Sequence, residues 1–339
     1  MNSQSTNSEL LKRGWFDNIG VKLQPLFDSQ VHHVSKLAVS HLGFHRARSL
    51  TGILGRLQNR VVPQQTYRIV RRTIEACLNE SELNAGRIAR RVLSAKYDRH
   101  CEYLLVSRAS DADLLKTLQE FRYSGPQFFR DYGEIVRDYI GCDAPIVLAN
   151  AHFGPYQTAM VCLSKFAPPA RDVWIVKRTP PSAEQLAGYA RSAGEDNSVN
   201  VITVGDDPAM QAIRSLRRGS TVVFFFDTPP GWGAHDLLPV RFFDYPCLFS
   251  TGIAKVAALG RAVILPVFTH YDESGTPVLT LERPIDCTNV DDVDAHCKVV
   301  TQTLATHLEK WIRKHPAQWS MWPHLPTMWY TPTGENENE

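Results

Sequence analysis

Two periodicities divide the chain. Up to about residue 140, apolar positions recur every three or four residues, as in Val70, Ile74 and Cys77, with Arg71 and Arg72 outside the stripe. That is the spacing of one buried helix face. It predicts helices at Leu10–Gln24, Val31–Leu42, Ser49–Leu57, Gln64–Leu78, Glu82–Leu105, Ala112–Glu120 and Gly125–Tyr139. After residue 144 the texture changes to short apolar runs at Ile146–Ala149, Val173–Val176, Val201–Val204, Val222–Phe226, Val263–Phe268 and Val278–Leu281. Helical stretches at Tyr156–Phe166, Ala183–Ser192, Ala209–Arg217 and Leu248–Leu259 separate them, and a last helix at Val293–Lys314 precedes a tryptophan-rich end.

Buried strands alternating with helices predict an α/β fold, a mostly parallel central sheet flanked by helices, with a helical N-terminal extension. The expected organisation is a helical region over 1–140 packed on an α/β domain at 141–330. A polar, acidic tail at 331–339 is expected to be disordered.

Composition narrows the classes. A chain of 339 residues that is 43% hydrophobic can bury a large core. A formal charge of +2 supplies no global field toward nucleic acid, so no nucleic-acid partner is expected. Local basic clusters occur at His45, Arg46, Arg48 and Arg56, and at Arg87, Arg90, Arg91 and Lys96. They read as solvated helix faces or as contacts to an anionic partner such as a lipid headgroup, a carrier protein or a coenzyme phosphate.

The seven scattered cysteines show no Cys-x-x-Cys spacing, so reduced core residues are expected, with no metal site. Met1 to Glu9 lack an apolar signal core, and no run of 18 apolar residues occurs. A cytoplasmic protein is expected, either free or peripheral on the inner face of the cytoplasmic membrane.

Chemistry concentrates where apolar runs end. Ile146–Ala149 is followed by Asn-Ala-His152-Phe-Gly-Pro-Tyr-Gln157, in which Gly154 permits a turn and Pro155 suits a helix start. His152 therefore falls in the crevice beyond a buried strand, where a histidine can move protons near neutral pH. Val222–Phe226 likewise ends in Asp227, and Val173–Val176 ends in Lys177 and Arg178, with Arg191 one helix later. A guanidinium at such a place can bind phosphate or carboxylate. His235 and His270 are isolated. No Walker phosphate loop, dinucleotide fingerprint, nucleophile elbow or His-Glu-x-x-His motif is present, which removes the usual nucleotide-binding, serine-hydrolase and zinc-protease classes.

Six blocks recur in order: Asn150-Ala-His152-Phe-Gly-Pro-Tyr-Gln157, Val176-Lys-Arg178, Gly219-x-x-Val-Val-x-x-x-Asp227, Pro239-Val-Arg-Phe-Phe-Asp, Ser250-Thr-Gly252 through Gly260 to Pro266, and His315-Pro316-x-Gln-Trp319-x-x-Trp322. Together they resemble the lipid A late acyltransferases and the wider lysophospholipid-acyltransferase superfamily. The resemblance spans about residues 110 to 325 and implies a glycerol-phosphate-acyltransferase-like α/β fold.

The activity it implies is acyl transfer from a thioester, on acyl carrier protein or coenzyme A, to a hydroxyl or amine acceptor. No resident cofactor is implied. His152 would be the general base, Asp227 matches a later site aspartate, and Arg178 and Arg191 fall near a site arginine. The acyl chain is expected in an apolar groove lined by Phe153, Tyr156, Phe224 and Phe226. The amides of Phe153 and Gly154 are expected near the oxyanion.

Three features depart from the family pattern. Gln157 stands where an acid orients the histidine, no amino-terminal membrane helix is present, and Pro323-His-Leu-Pro replaces a basic run. For Gln157 three explanations stay open: Asp227 is the partner, the reaction needs a weaker base, or catalysis is lost. A non-catalytic binder of acyl chains or carrier protein, or a thioesterase, are the alternatives.

Overall fold

The computed structural model describes residues 33–35, 37–38, 41–42, 44–58, 64–108, 111–124, 132–165, 167–168, 170–193, 197–203, 205, 207–232 and 235–330. The predicted helix at 10–24 and the tail at 331–339 lie outside the described residues, and 31–42 is described only in part. The helical N-terminal region comprises α1 (Phe44–Gln58), α2 (Gln64–Leu78), α3 (Glu82–Arg108), α4 (Asp111–Glu120) and α5 (Tyr132–Ile140). One short strand, β1 (Arg122–Ser124), interrupts it and pairs in parallel with β9 (Pro277–Leu281).

The remaining elements follow in the order β2 (Ile146–Asn150), α6 (Tyr156–Lys165), β3 (Val173–Lys177), α7 (Ala183–Ala193), β4 (Val199–Thr203), α8 (Pro208–Arg217) and β5 (Thr221–Phe225). After the hairpin of β6 (Leu237–Phe242) and β7 (Tyr245–Ser250) come α9 (Gly252–Gly260), β8 (Val263–Tyr271), β9, β10 (Ile285–Asp286) and α10 (Val293–Lys314). The main sheet runs β1-β9-β8-β2-β5-β3-β4, with β10 on β8. Pairings among β8, β2, β5, β3 and β4 are parallel, whereas β9 and β10 run antiparallel to β8. The fold is therefore α/β with a mostly parallel central sheet flanked by helices.

Burial explains the strands. All five residues of β2 are buried, because helices cover both faces of the central strands. Val147, Ala149, Val222 and Ile264 pack with α8, α9 and α10, while Ile146, Leu148, Val223 and Leu265 pack with α3 and α6. Helix starts are fixed locally: Asp207 accepts the Met210 amide at 3.3 Å ahead of Pro208, and Asp292 accepts the Ala295 amide at 3.0 Å.

The predicted helix at Leu248–Leu259 is corrected. Its first residues form β7, which pairs with β6 in a separate two-stranded sheet, and α9 starts only at Gly252. The hairpin turns through Phe243 and Asp244, both at positive φ (51° and 65°). Neither glycine nor asparagine marks that turn in the sequence.

A buried polar cluster joins α1, α3 and β8. The Arg48 guanidinium lies 3.4 Å over the Tyr271 ring and also donates to the Gly275 carbonyl, so this member of the first basic cluster faces inward. The Tyr271 hydroxyl donates to Glu102 Oε1 at 3.2 Å, and the second Glu102 oxygen is buried without a partner. Burial, with the Asp98 charge adding to it, pushes the Glu102 carboxyl up to about 8.

Candidate active site

Strand order places the site. The chain leaves β2 on one side, through α6 to β3, and returns through α8 to β5, which inserts between β3 and β2. The carboxyl ends of β2, β3 and β5 thus surround a topological switch point, where open α/β sheets leave a crevice. Asn150 is in register with Phe225, and the Phe226 amide extends the ladder to the Asn150 carbonyl at 3.0 Å. His152 and Asp227 each lie two residues beyond that pair. They meet as a direct consequence of the register.

The contact is close. His152 Nδ1 is 2.8 Å from Asp227 Oδ1, and the His152 main-chain N–H donates to Asp227 Oδ2 at 2.9 Å. The Trp319 indole N–H donates to the same Oδ2 at 2.9 Å. Asp227 is fully buried, and these donors replace the water its carboxylate has lost. With Nδ1 protonated toward the carboxylate, Nε2 presents its lone pair. Phe225 and Tyr156 hold the ring, with centroids 4.5 Å and 5.2 Å away.

A segment from near the other end of the chain completes the frame. Ser320 donates through both its amide and its hydroxyl to the His152 carbonyl, each at 3.0 Å. Phe153 bridges Trp319, and the Gly154 amide donates to the Gln318 carbonyl at 3.0 Å. Gln318 in turn grips the backbone of Tyr271 through its side-chain amide, at 2.8 and 2.7 Å. Gly154 adopts φ +55°, and a Cβ there would fall 2.2 Å from the Thr269 carbonyl oxygen, so only glycine fits this approach.

Beside His152 opens a cavity of about 790 Å³ that straddles the edge of the sheet. On one face its walls are apolar: Val176, Met210, Ile213, Phe224, Val256 and Leu259. On the other, polar and aromatic groups gather: Tyr103, Tyr156, Gln157, Lys177, Gln185 and Tyr189.

The sequence-derived residues divide accordingly. His152, Tyr156, Gln157, Arg178, Phe224 and Phe226 line the cavity, and Asp227 lies beneath His152. Arg178 is an exposed rim residue whose guanidinium sits 5.3 Å over the Trp232 ring. Gln157 lies on the cavity wall next to Tyr156, whose own ionisation is pushed up by burial.

Three expected placements differ from the structure. Phe153 is 0% exposed, packed toward Trp311, and lines no groove. The amides of Phe153 and Gly154 already donate to the carbonyls of Ala151 and Gln318, so neither is available to an oxyanion. Arg191 is an exposed residue of α7 and is not part of the cavity wall.

His235 lies at the exposed part of the wall. His270 is stacked 4.4 Å from His315, and burial with that neighbour's charge holds it down at about 4. Sequence reasoning missed Trp319, Ser320, Trp232, Tyr103 and Tyr189. It also missed His324, which packs edge-on to Trp232 at 4.7 Å and whose protonation is disfavoured by burial and by His152. Only the conspicuous Trp319 offered a signal in the sequence.

Comparison with known families assigns the class, an acyltransferase. Residues 35–325 match the bacterial lipid A biosynthesis acyltransferases, and the chain belongs to that family. No curated protein matches it. No helix among the described residues is long and apolar enough to cross a membrane, and no group of three or more potential metal ligands is gathered among them.

Proposed function

We propose that the protein transfers an acyl chain from an acyl thioester, carried by acyl carrier protein or coenzyme A, to a hydroxyl or amine acceptor, with His152 as general base. The observation that carries the reading is the 2.8 Å contact between His152 Nδ1 and buried Asp227, at the wall of a cavity large enough for an acyl chain.

In this mechanism Nε2 of His152 takes the proton of the acceptor as its oxygen or nitrogen attacks the thioester carbonyl. The tetrahedral intermediate collapses, the carbon–sulfur bond breaks, and the departing thiolate recovers the proton from the imidazolium. Asp227 stabilises that imidazolium, the part an acid at the position of Gln157 would otherwise play. Gln157 is then a wall residue of the cavity. The acyl chain occupies the apolar arm between α8 and α9, where Phe224, Ile213 and Leu259 exclude water. On this reading the protein works in the cytoplasm, at the surface of the inner membrane when its acceptor is a lipid.

The test is incubation with lauroyl thioesters of acyl carrier protein and of coenzyme A, with and without acceptor lipids and amines. Thiol release that requires the acceptor, and that His152→Ala lowers by about 10² to 10⁴ while the variant stays folded, supports the reading. Release without acceptor shows a thioesterase. Binding without release shows a carrier or scaffold protein, and full activity of His152→Ala removes the base.

A further inference from the structure

The cavity contains a cation that the mechanism above does not use. Lys177 is the last residue of β3, half-buried, on the polar wall of the cavity that also carries His152. Its ammonium donates to the Tyr189 hydroxyl at 3.3 Å and lies 5.5 Å from that ring's centroid. Tyr189 is itself buried on α7, so the lysine is held against a rigid surface.

Charge around Lys177 is unbalanced. Burial pushes its protonation down, and among the described residues its partner is the neutral Tyr189 hydroxyl rather than a carboxylate. The acids nearest the cavity are engaged elsewhere: Asp207 caps α8, Asp236 pairs with Lys255 at 3.1 Å, and Asp227 pairs with His152. The adjacent residue Arg178 adds a second positive charge at the rim. A half-buried ammonium at a cavity wall without a counter-ion gains when a ligand supplies the anion. Arg191, expected to carry this part, stands outside the wall.

We propose that Lys177, oriented by Tyr189, forms an anion subsite on the polar arm of the cavity, which holds a phosphate or carboxylate of the substrate opposite the acyl arm. The three tyrosines Tyr103, Tyr156 and Tyr189 line that arm, and aromatic side chains there suit an acid group borne on a compact ring or sugar. The subsite rests on the acyl-transfer reading for its role, but its occupancy is measurable without turnover.

The experiment is calorimetric titration of the full chain with phenyl phosphate and, in parallel, with phenol. Phenyl phosphate binds the wild type at least tenfold more tightly than phenol. Lys177→Met abolishes that preference, and Tyr189→Phe weakens it several-fold with the fold intact by circular dichroism. His152→Ala binds phenyl phosphate as the wild type does, which separates failure of the subsite from failure of the base. Equal binding of phenyl phosphate to wild type and Lys177→Met, or no binding to the wild type, overturns the proposal. Displacement by 4′-phosphopantetheine supports a donor phosphate as the occupant, and its failure to displace supports the acceptor.

Discussion

Trp319 donates its indole N–H to Asp227 across 2.9 Å, on the same carboxylate oxygen that receives the main-chain N–H of His152. Both donors are needed because the carboxylate has no access to water. Trp319→Phe keeps an aromatic ring and deletes one donor, which costs about 1.5–3 kcal/mol for a charged acceptor. The expected outcome is a lower urea midpoint and, through a tilted imidazole, a kcat reduced by about tenfold to a hundredfold with KM little changed. Equilibrium unfolding and steady-state kinetics on one preparation check both.

Asp227 and Gln157 compete for the part of histidine partner, and the geometry favours Asp227. Asp227→Asn leaves the shape but lets the amide select the wrong imidazole tautomer, for which about 10⁴ in rate is the cost in a serine-protease triad. Gln157→Ala is expected to change kcat only a few-fold, since Gln157 is a cavity-wall residue and Asp227 already holds the imidazole. A thioester assay that ranks the two variants the other way would return the pairing to Gln157.

Gly154 is the tightest backbone approach at the site, with φ +55° and the Thr269 carbonyl where a side chain would begin. Gly154→Ala is expected to destabilise the protein by about 3 kcal/mol or more, from combined strain and clash. Gly141 also has positive φ (76°) but has nothing within 4 Å of its would-be Cβ. Gly141→Ala should therefore cost only about 1–2 kcal/mol, as read from paired urea melts.

Glu102 sets an alkaline limit to stability. Its carboxyl is raised from 4.5 to about 8 in the folded protein, so folding favours the protonated form. Stability is accordingly greatest below about pH 4.5 as far as this group is concerned, and it declines as pH rises toward 8. The groups that face it are Asp98 and Arg99 of its own helix, Arg48 of α1 and Tyr271 of β8. In thermal melts Glu102→Gln should match the wild type near pH 5 and exceed it at about pH 9.

Local patterns were legible where one face or one run sufficed. Gln64–Leu78 and Val293–Lys314 have the predicted bounds, and the six predicted strands fall within three residues of prediction, the central ones because burial on both faces leaves unbroken apolar runs. The hairpin of β6 and β7 was not, since a Phe-Asp turn carries no turn signature and Leu248–Phe249 joins the apolar spacing of α9. His152 and Asp227 could each be picked out as residues beyond a strand. Their mutual contact depends on Asn150 lying beside Phe225, a register between strands far apart in the chain. Trp319 and Ser320 join them through tertiary packing alone. The sequence could not place Arg191 relative to the cavity, because a position one helix after a strand says nothing about which way that helix turns it.

The residues that orient His152 come from well-separated parts of the chain. A ribosome makes the histidine well before Gln318, Trp319 and Ser320, and until those three emerge the imidazole lacks its main-chain clamp and the aspartate its indole. A nascent chain stalled before Gln318 would carry both members of the pair without the Ser320 clamp on His152 or the Trp319 indole on Asp227. On the acyl-transfer reading, competence therefore waits on three residues that are all made after both members of the pair.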